Sequence, residues 1–310
     1  LEFSVIICTY NRAKVLAECL ATLAEQTLSP DRYEVLVVDN HSTDDTAMVA
    51  ASFAHCWSHF QCVSEADKYL SKARNTGTLH ASGFHLVFLD DDVLLPPGYL
   101  DRVAYVRDHF AFPCWGGIDI PWYAHGKPLW VQDAYLQFRL PYEQVTQVNA
   151  ARKECVTGFS FIIRRDLLLA SGGFDPRVGM KGDVVGYGEE TYLQHQLHAR
   201  GIPVGYDPEL ILRHHMLPHK LKLRWYFEAS VALGKSQAVF RRNMTWGPRI
   251  LLILKTFCEI WLVTALDLVR STWKWVIYKD FFWQNWLIES FRKIGKRVRF
   301  IRDLMLGSRA

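Results

Sequence analysis

The chain has 310 residues, half of them hydrophobic and 22% charged, with a formal net charge of +4. That length and composition exclude a disordered chain and suit one large domain or two small ones. The charge is uneven: Arg292, Lys293, Lys296, Arg297, Arg299, Arg302 and Arg309 face Asp303 alone over residues 291–310, a tail of +6 that leaves −2 for residues 1–290 and argues against a nucleic-acid binder with a broad basic face.

The first 120 residues alternate between two periodicities. "FSVIIC" (3–8) reads as a first strand and not as a signal peptide, since no basic region precedes it and no small-residue cleavage site follows. Val15, Leu16, Cys19, Leu20 and Leu23 then mark one face of a helix over 12–25. "YEVLVV" (33–38) is a second strand, and the turn and cap residues of "DNHSTDD" lead into a helix over 44–54. "FQCVS" (60–64) is a weaker strand, a helix covers 70–81, "HLVFL" (85–89) is a fourth strand, and Pro96 and Pro97 open a helix over 97–109. Near-continuous apolar strands alternating with helices predict an α/β fold, a mostly parallel sheet with helices on both faces. Ligands on such sheets bind beyond the carboxyl ends of the strands, so Asn11, Asp39, Asn40 and the aspartates after residue 89 are expected on one rim.

Residues 112–160, rich in Trp, Tyr, Pro and Gly, read as irregular and pocket-shaping. A strand over 156–163, a helix over 165–171, a glycine-rich stretch over 171–190, a helix over 189–200 and short strands over 203–213 complete the body. The seven cysteines are odd in number and scattered, without a Cys-x-x-Cys pair, and read as reduced thiols in a cytosolic setting with no zinc ribbon.

From residue 246 onward the character changes. "ILLILKTFCEIWLVTALDLV" (250–269) has the length of a membrane span but carries Lys255, Glu259 and Asp267. Each such charge at a helix centre costs about 2.5–3.5 kcal/mol on insertion scales. Spacings of four and eight put the three on one face, which Arg270 and Lys274 extend. A wide apolar face with a narrow polar stripe, six tryptophans over 246–290 and the basic tail suit a membrane interface better than a span. A helix packed on the protein's own core is the plainer alternative. The expected organisation is a body over 1–245 and an amphipathic helical membrane-association region over 246–310.

Three groups of polar residues carry chemistry. Asp90, Asp91 and Asp92 follow the buried run Leu86-Val87-Phe88-Leu89 in "FLDDD". Carboxylates repel and resist burial, and no other counter-charge is evident in the sequence. A hard divalent cation such as Mn²⁺ or Mg²⁺ answers that, since it takes one or two carboxylates together with substrate phosphates. An acidic start to the helix after Pro96 would need only one aspartate. Asp39 and Thr9-Tyr10-Asn11 of "CTYNR" are strand-end groups able to hydrogen-bond or stack on a nucleoside. Glu189 and Glu190 of "GYGEE" offer a proton acceptor at a helix start, although paired glutamates there also favour the helix dipole.

Taken in order, "SVIICTYNR", "VLVVDNHSTDDT", "ARNTG", "FLDDD", "GGFD" and "GYGEETYLQHQLHARG" resemble the family 2 glycosyltransferases over about residues 3–215. The resemblance implies a GT-A fold, a nucleotide-sugar donor with a UDP-sugar favoured, a divalent metal and inversion at the anomeric carbon. It implies that Thr9, Tyr10, Asn11 and Asp39 hold the base and ribose. Arg74 should lie near the base or diphosphate, where an ordinary surface arginine on a helix would fit the same pattern. Asp90 and Asp91 join the donor site, and Asp92 and Asp90 hold the metal, with His214 of "LRHHMLPHK" as a further ligand and His215 as second choice. The family usually has Glu-Asp where this chain has Glu189-Glu190; Glu190 is assigned as the base and Glu189 as its alternative. Ser160 stands where the family often has Asn, on the acceptor-side strand. A saccharide or lipid-linked acceptor, polysaccharide or glycolipid synthesis, and a cytoplasmic position, peripheral on the inner face of the cell membrane, complete the expectation. The rivals are a nucleotidyltransferase acting on sugar phosphates and a non-catalytic membrane-bound scaffold. The first would want a glycine- and basic-rich phosphate loop near the first strand, where "CTYNRAKVL" has no glycine, and neither G-x-G-x-x-G nor a Walker motif occurs; the second leaves the aspartates and glutamates without a role.

Overall fold

In the computed structural model of the protein, residues 1–240, 248, 250–260, 262, 266 and 283–306 are described. The chain forms two compact units.

The first unit comprises residues 1–124, 133–176 and 189–215 and is built on one sheet. Strands β1 (Phe3–Thr9) and β2 (Tyr33–Asp39) are buried at all seven positions each, as unbroken apolar runs covered on both faces must be. β1 lies parallel to β2 and to β4 (His85–Asp90), and β3 (Phe60–Ser64) lies parallel to β2 at the edge. The register sets Thr9 beside Asp39 and Cys8 beside Asp90, so the polar strand ends share one rim as expected. The period-two alternation of strands then sorts the core. Val5, Ile7, Val35, Val37, Val87 and Leu89 pack with helices α1 (Ala13–Ala24) and α4 (Tyr99–His109) and the short α2 (Thr46–Ser52). Ile6, Cys8, Leu36, Val38 and Phe88 pack on the other face, with α3 (Leu70–His80), α5 (Arg165–Ala170) and α6 (Glu189–Ala199). On that face a Cβ on Gly77 of α3 would stand 2.6 Å from Ile6 Cγ2, so only glycine lets α3 approach β1 this closely.

Beyond β4 the sheet turns mixed. β8 (Ser160–Arg164) runs antiparallel to β4, and β6 (Cys114–Trp122) antiparallel to β8 and parallel to β9 (Gly205–His215). The two-residue strands β5 (Val93–Leu94) and β7 (Thr146–Gln147) pair with β9. Among the longer strands of this part of the sheet, three features differ from the sequence expectation. β6 replaces part of the irregular stretch, because Gly116, Gly117 and Pro121 hid a strand that sits between two partners. β9 is one long strand despite Pro208. β8 begins four residues later than expected, at Ser160.

The second unit comprises residues 125–132, 177–188 and 216–310. Its long helix α7 (Leu223–Phe240) has no counterpart in the sequence reading, because its buried positions include Ala229, Ser230, Ala232, Gly234, Ser236 and Ala238, residues too small to give an apolar periodicity. A Cβ on Gly234 would strike the Lys296 carbonyl oxygen, so α7 and the helix Lys296–Leu306 approach backbone to backbone. Residues 250–260 are helical, and Arg297 reaches Glu259 at 3.2 Å. Ile250, Leu251, Leu254 and Phe257 on that helix are exposed. Among the described residues no helix is long and apolar enough to cross a membrane. Most of the expected amphipathic helix beyond residue 260 lies outside the described residues.

Candidate functional site

The carboxyl ends of β1, β2 and β4 bring acids together, and two arginines answer them. Arg12, at the start of α1, puts Nη1 2.7 Å from Asp91 Oδ1 and 3.3 Å from Asp92 Oδ2. Arg74, buried in α3, donates from Nη1 to Glu189 Oε1 at 2.7 Å and from Nη2 to Asp90 Oδ1 at 3.1 Å and to the Gly158 carbonyl at 3.3 Å. The aspartate triplet therefore has counter-charges, which corrects the expectation that none existed: both arginines come from elsewhere in the sequence, and only the fold brings them in. Arg74 is not a surface residue. Gly158 makes room for it, since a Cβ there would stand 2.8 Å from Nη2.

The three aspartates have different surroundings. Asp91 is buried, and burial raises its carboxyl above the ordinary range against the opposing pull of Arg12. Asp90 and Asp92 lie with His214 such that one ligand atom from each falls within 4.8 Å of the others. His214 comes from the end of β9, opposite Val93, and its Nε2 is 3.1 Å from Asp92 Oδ1. Its Nδ1 is 3.0 Å from Asp119 Oδ2. His215 points elsewhere, with Nδ1 3.6 Å from Glu18, and its backbone N–H donates to the Asp92 carbonyl at 2.7 Å. Two carboxylates and an imidazole in this compass are a donor set suited to Mn²⁺, and less well to the strictly oxygen-seeking Mg²⁺.

On the far side of Arg74, Glu189 and Glu190 open α6. Glu189 is buried, and desolvation raises its carboxyl although Arg74 pulls it down; its Oε2 has no hydrogen-bond partner among the described residues. Glu190 is partly buried, and desolvation together with the charge of Glu189 pushes it up to about 8. The Glu190 carbonyl accepts from Gln194, whose side chain also pairs with both backbone groups of Val156.

Of the other predicted residues, Asp39 accepts the Ser42 N–H on Oδ1 at 2.9 Å. Asn11, with φ of 50°, ties two loops: its N–H donates to Ser42 Oγ and its Oδ1 accepts the Thr43 N–H. Tyr10 meets Lys68, whose Nζ lies 3.1 Å from the hydroxyl. Thr9 is buried at the end of β1. Ser160 turns into the core and shares a 2.6 Å hydrogen bond with Tyr99. Arg12, Asp119 and Lys68 escaped the sequence reading. Arg12 had a signal in "CTYNR"; Asp119 and Lys68 had none.

Residues 4–169 match the family described as glycosyl transferase family 2. The chain belongs to that family, and its fold is of GT-A type. It is 30% identical over 183 residues to the glycosyltransferase AglE of Haloferax volcanii, covering 58% of each chain. It is 32% identical over 231 residues to validoxylamine A glucosyltransferase of Streptomyces hygroscopicus subsp. limoneus, covering 65% of this chain and 49% of that protein. The chain thus spans about half the length of these curated relatives. The mannosyltransferase PcManGT of Pyrobaculum calidifontis, solved with GDP-Man and Mn²⁺, superposes with a TM-score of 0.64 at 20% identity, over 99% of this chain and 88% of that one.

The buried pair makes a prediction. Arg74→Met leaves Glu189 and Asp90 without their guanidinium, and losing one partner of a buried ion pair costs about 3–5 kcal/mol. Glu189, already raised, then rises further. A carboxyl that binds its proton more tightly folded than unfolded contributes stability in acid that is lost as pH rises. The deficit of Arg74→Met in urea unfolding should therefore be larger at about pH 8 than at about pH 5. An equal deficit at both would contradict the pairing.

Proposed function

We propose that the protein is an inverting glycosyltransferase that moves a sugar from a nucleotide-sugar donor to an acceptor hydroxyl. The observation that carries this reading is the arrangement about Arg74: one guanidinium holds Asp90 of the cation-suited cluster and Glu189 of the glutamate pair. Donor and acceptor groups are thereby fixed to one rigid point, as an in-line displacement requires.

Thr9, Tyr10, Asn11 and Asp39 receive the base and ribose at the strand ends; a UDP-sugar is the donor to try first. Asp90, Asp92 and His214 hold Mn²⁺ or Mg²⁺, which when bound neutralises charge on the departing diphosphate. Asp91, clamped by Arg12, keeps the loop of the triplet in place beside the donor. Glu190 takes the proton from the acceptor hydroxyl as its oxygen bonds to the anomeric carbon. The bond from that carbon to the diphosphate oxygen breaks, the electron pair leaves with the diphosphate, and the configuration inverts. The partly buried setting of Glu190 suits this, because a base works best with an affinity near the operating pH. Family membership and the Mn²⁺ and GDP-Man of the mannosyltransferase support the donor and metal assignments.

Glu190→Gln should lower transfer about 10²–10⁴-fold while donor affinity stays near wild type. The base acts deprotonated, so the wild-type rate at low substrate should climb with pH through about 8. An active Glu190→Gln with a dead Glu189→Gln would move the role by one residue.

Residues 246–310 form the membrane-association region beyond a transferase body over 1–245, and hold the protein peripherally on the inner, cytoplasmic face of the cell membrane. The support is the exposed apolar row Ile250, Leu251, Leu254 and Phe257 together with the basic residues after Phe291. Near an anionic surface each basic residue adds about 1 kcal/mol, and the apolar row adds burial. The acceptor is then lipid-linked or a growing saccharide. Since residues 283–306 pack on α7, substitution is a cleaner test than truncation. The protein should sediment with vesicles containing phosphatidylglycerol, and Leu251→Asp with Leu254→Asp should release it. Wild-type protein that stays in the supernatant would sink the membrane reading.

A further inference from the structure

Asp119 belongs to none of the sequence motifs, yet its side chain is buried against the one histidine of the candidate cation cluster. Its Oδ2 lies 3.0 Å from His214 Nδ1, and its Oδ1 accepts the backbone N–H of Phe138 at 2.5 Å. The strand is shaped to deliver it there. β6 and β9 pair with Gly116 opposite Tyr206, but the register then shifts, so that Ile118 stands opposite Ile211 and Asp119 opposite Leu212. Continued in the first register, Asp119 would face Glu209, five residues short of His214. The shift occurs at Gly117, where a Cβ would strike the Leu210 carbonyl oxygen. Irregularities of this kind re-aim a side chain, and this one brings a buried carboxylate to a partly buried imidazole across the sheet.

We propose that Asp119 is a positioning residue that fixes the His214 imidazole with Nδ1 protonated and Nε2 turned toward Asp90 and Asp92, completing a site for a divalent cation. This rests on the metal reading above and deepens it. A carboxylate oxygen only accepts hydrogen bonds, so Nδ1, which meets Asp119, carries a proton; Nε2 faces Asp92 at 3.1 Å and gives up its own proton when a cation binds between them, which leaves its lone pair for the cation. The Phe138 N–H pins the carboxylate, which leaves Oδ2 as the oxygen aimed at the ring. An asparagine at 119 meets the same constraint with the opposite result. Its single oxygen is required by Phe138, so its amide NH₂ faces Nδ1, and a donor there makes Nδ1 the acceptor and puts the proton on Nε2. Size and shape are kept while the ligating nitrogen is blocked. Outer partners of metal-bound histidines typically carry about 10–100-fold in metal affinity.

The test uses Mn²⁺ alone, followed by electron paramagnetic resonance on the full chain. Wild-type protein should bind Mn²⁺ and show a ¹⁴N coupling from a directly bonded imidazole. Asp119→Asn should weaken binding about 10–100-fold and lose the nitrogen coupling. In a His214→Ala background Asp119→Asn should change Mn²⁺ affinity no further, which a merely structural role would not produce. Asp119→Asn with unchanged affinity and coupling overturns the proposal, as does an equal loss in the His214→Ala background. Bound Mn²⁺ without nitrogen coupling in the wild-type protein overturns it too, whatever the variants do, while leaving a carboxylate metal site standing. Wild-type protein that binds no Mn²⁺ defeats the metal reading itself.

Discussion

Five carboxyl groups, Asp90, Asp91, Asp92, Glu189 and Glu190, gather at one rim of the sheet against the guanidiniums of Arg12 and Arg74. Everything else about the site follows from how that crowding is tolerated. Two like charges 4 Å apart repel by about 1 kcal/mol in water and about 4 kcal/mol at an effective dielectric of 20, so a buried cluster of this kind is unstable unless answered. The protein answers it in two ways: each arginine serves two acids, and desolvation raises Asp91, Glu189 and Glu190 so that protons are held more readily. Acid remains in excess of base among these five carboxyl groups and two arginines, and the divalent cation proposed above would offset that excess.

The two arginines divide the work. Arg12 starts α1 and clamps Asp91 and Asp92 to the loop after β1. Arg74 sits in α3 beneath the rim and joins the end of β4 to the start of α6. A guanidinium suits the second task because its planar fork holds several acceptors in fixed directions, which an ammonium does not. The close approach of α3 to β1 at Gly77 and the missing side chain at Gly158 both serve to seat it. Packing, charge and the proposed chemistry are thus one arrangement: the core places α3, α3 places Arg74, and Arg74 ties the acids of the donor side to those of the acceptor side.

Much of this could be read from the sequence, and what could not has physical reasons. Strands β1, β2 and β4 and helix α1 declared themselves by apolar runs and by an apolar face, because each is buried in the way its periodicity demands. The rim followed from strand-end polar residues, and "FLDDD" and "LRHH" supplied residues that the fold does cluster. The ion pairs could not be read, since Arg74 and Glu189 are 115 residues apart and nothing local records their contact. β6 was hidden by glycines whose purpose is strand-to-strand approach and register, so Asp119 was hidden with it. α7 was hidden because its buried face is made of Ala, Ser and Gly, which let helices approach closely without raising hydropathy.

If the acidic rim is a metal-dependent donor site, as proposed, the products of turnover reveal it. Purified protein would be incubated with a panel of nucleotide sugars, Mn²⁺ and a crude lipid and saccharide acceptor fraction, and the nucleotide released would be resolved by ion-exchange chromatography. A nucleoside diphosphate is expected from one donor, its release stopped by chelator and restored by excess Mn²⁺. Turnover that continues in excess chelator, or a sugar phosphate and pyrophosphate exchange in place of diphosphate release, would contradict it.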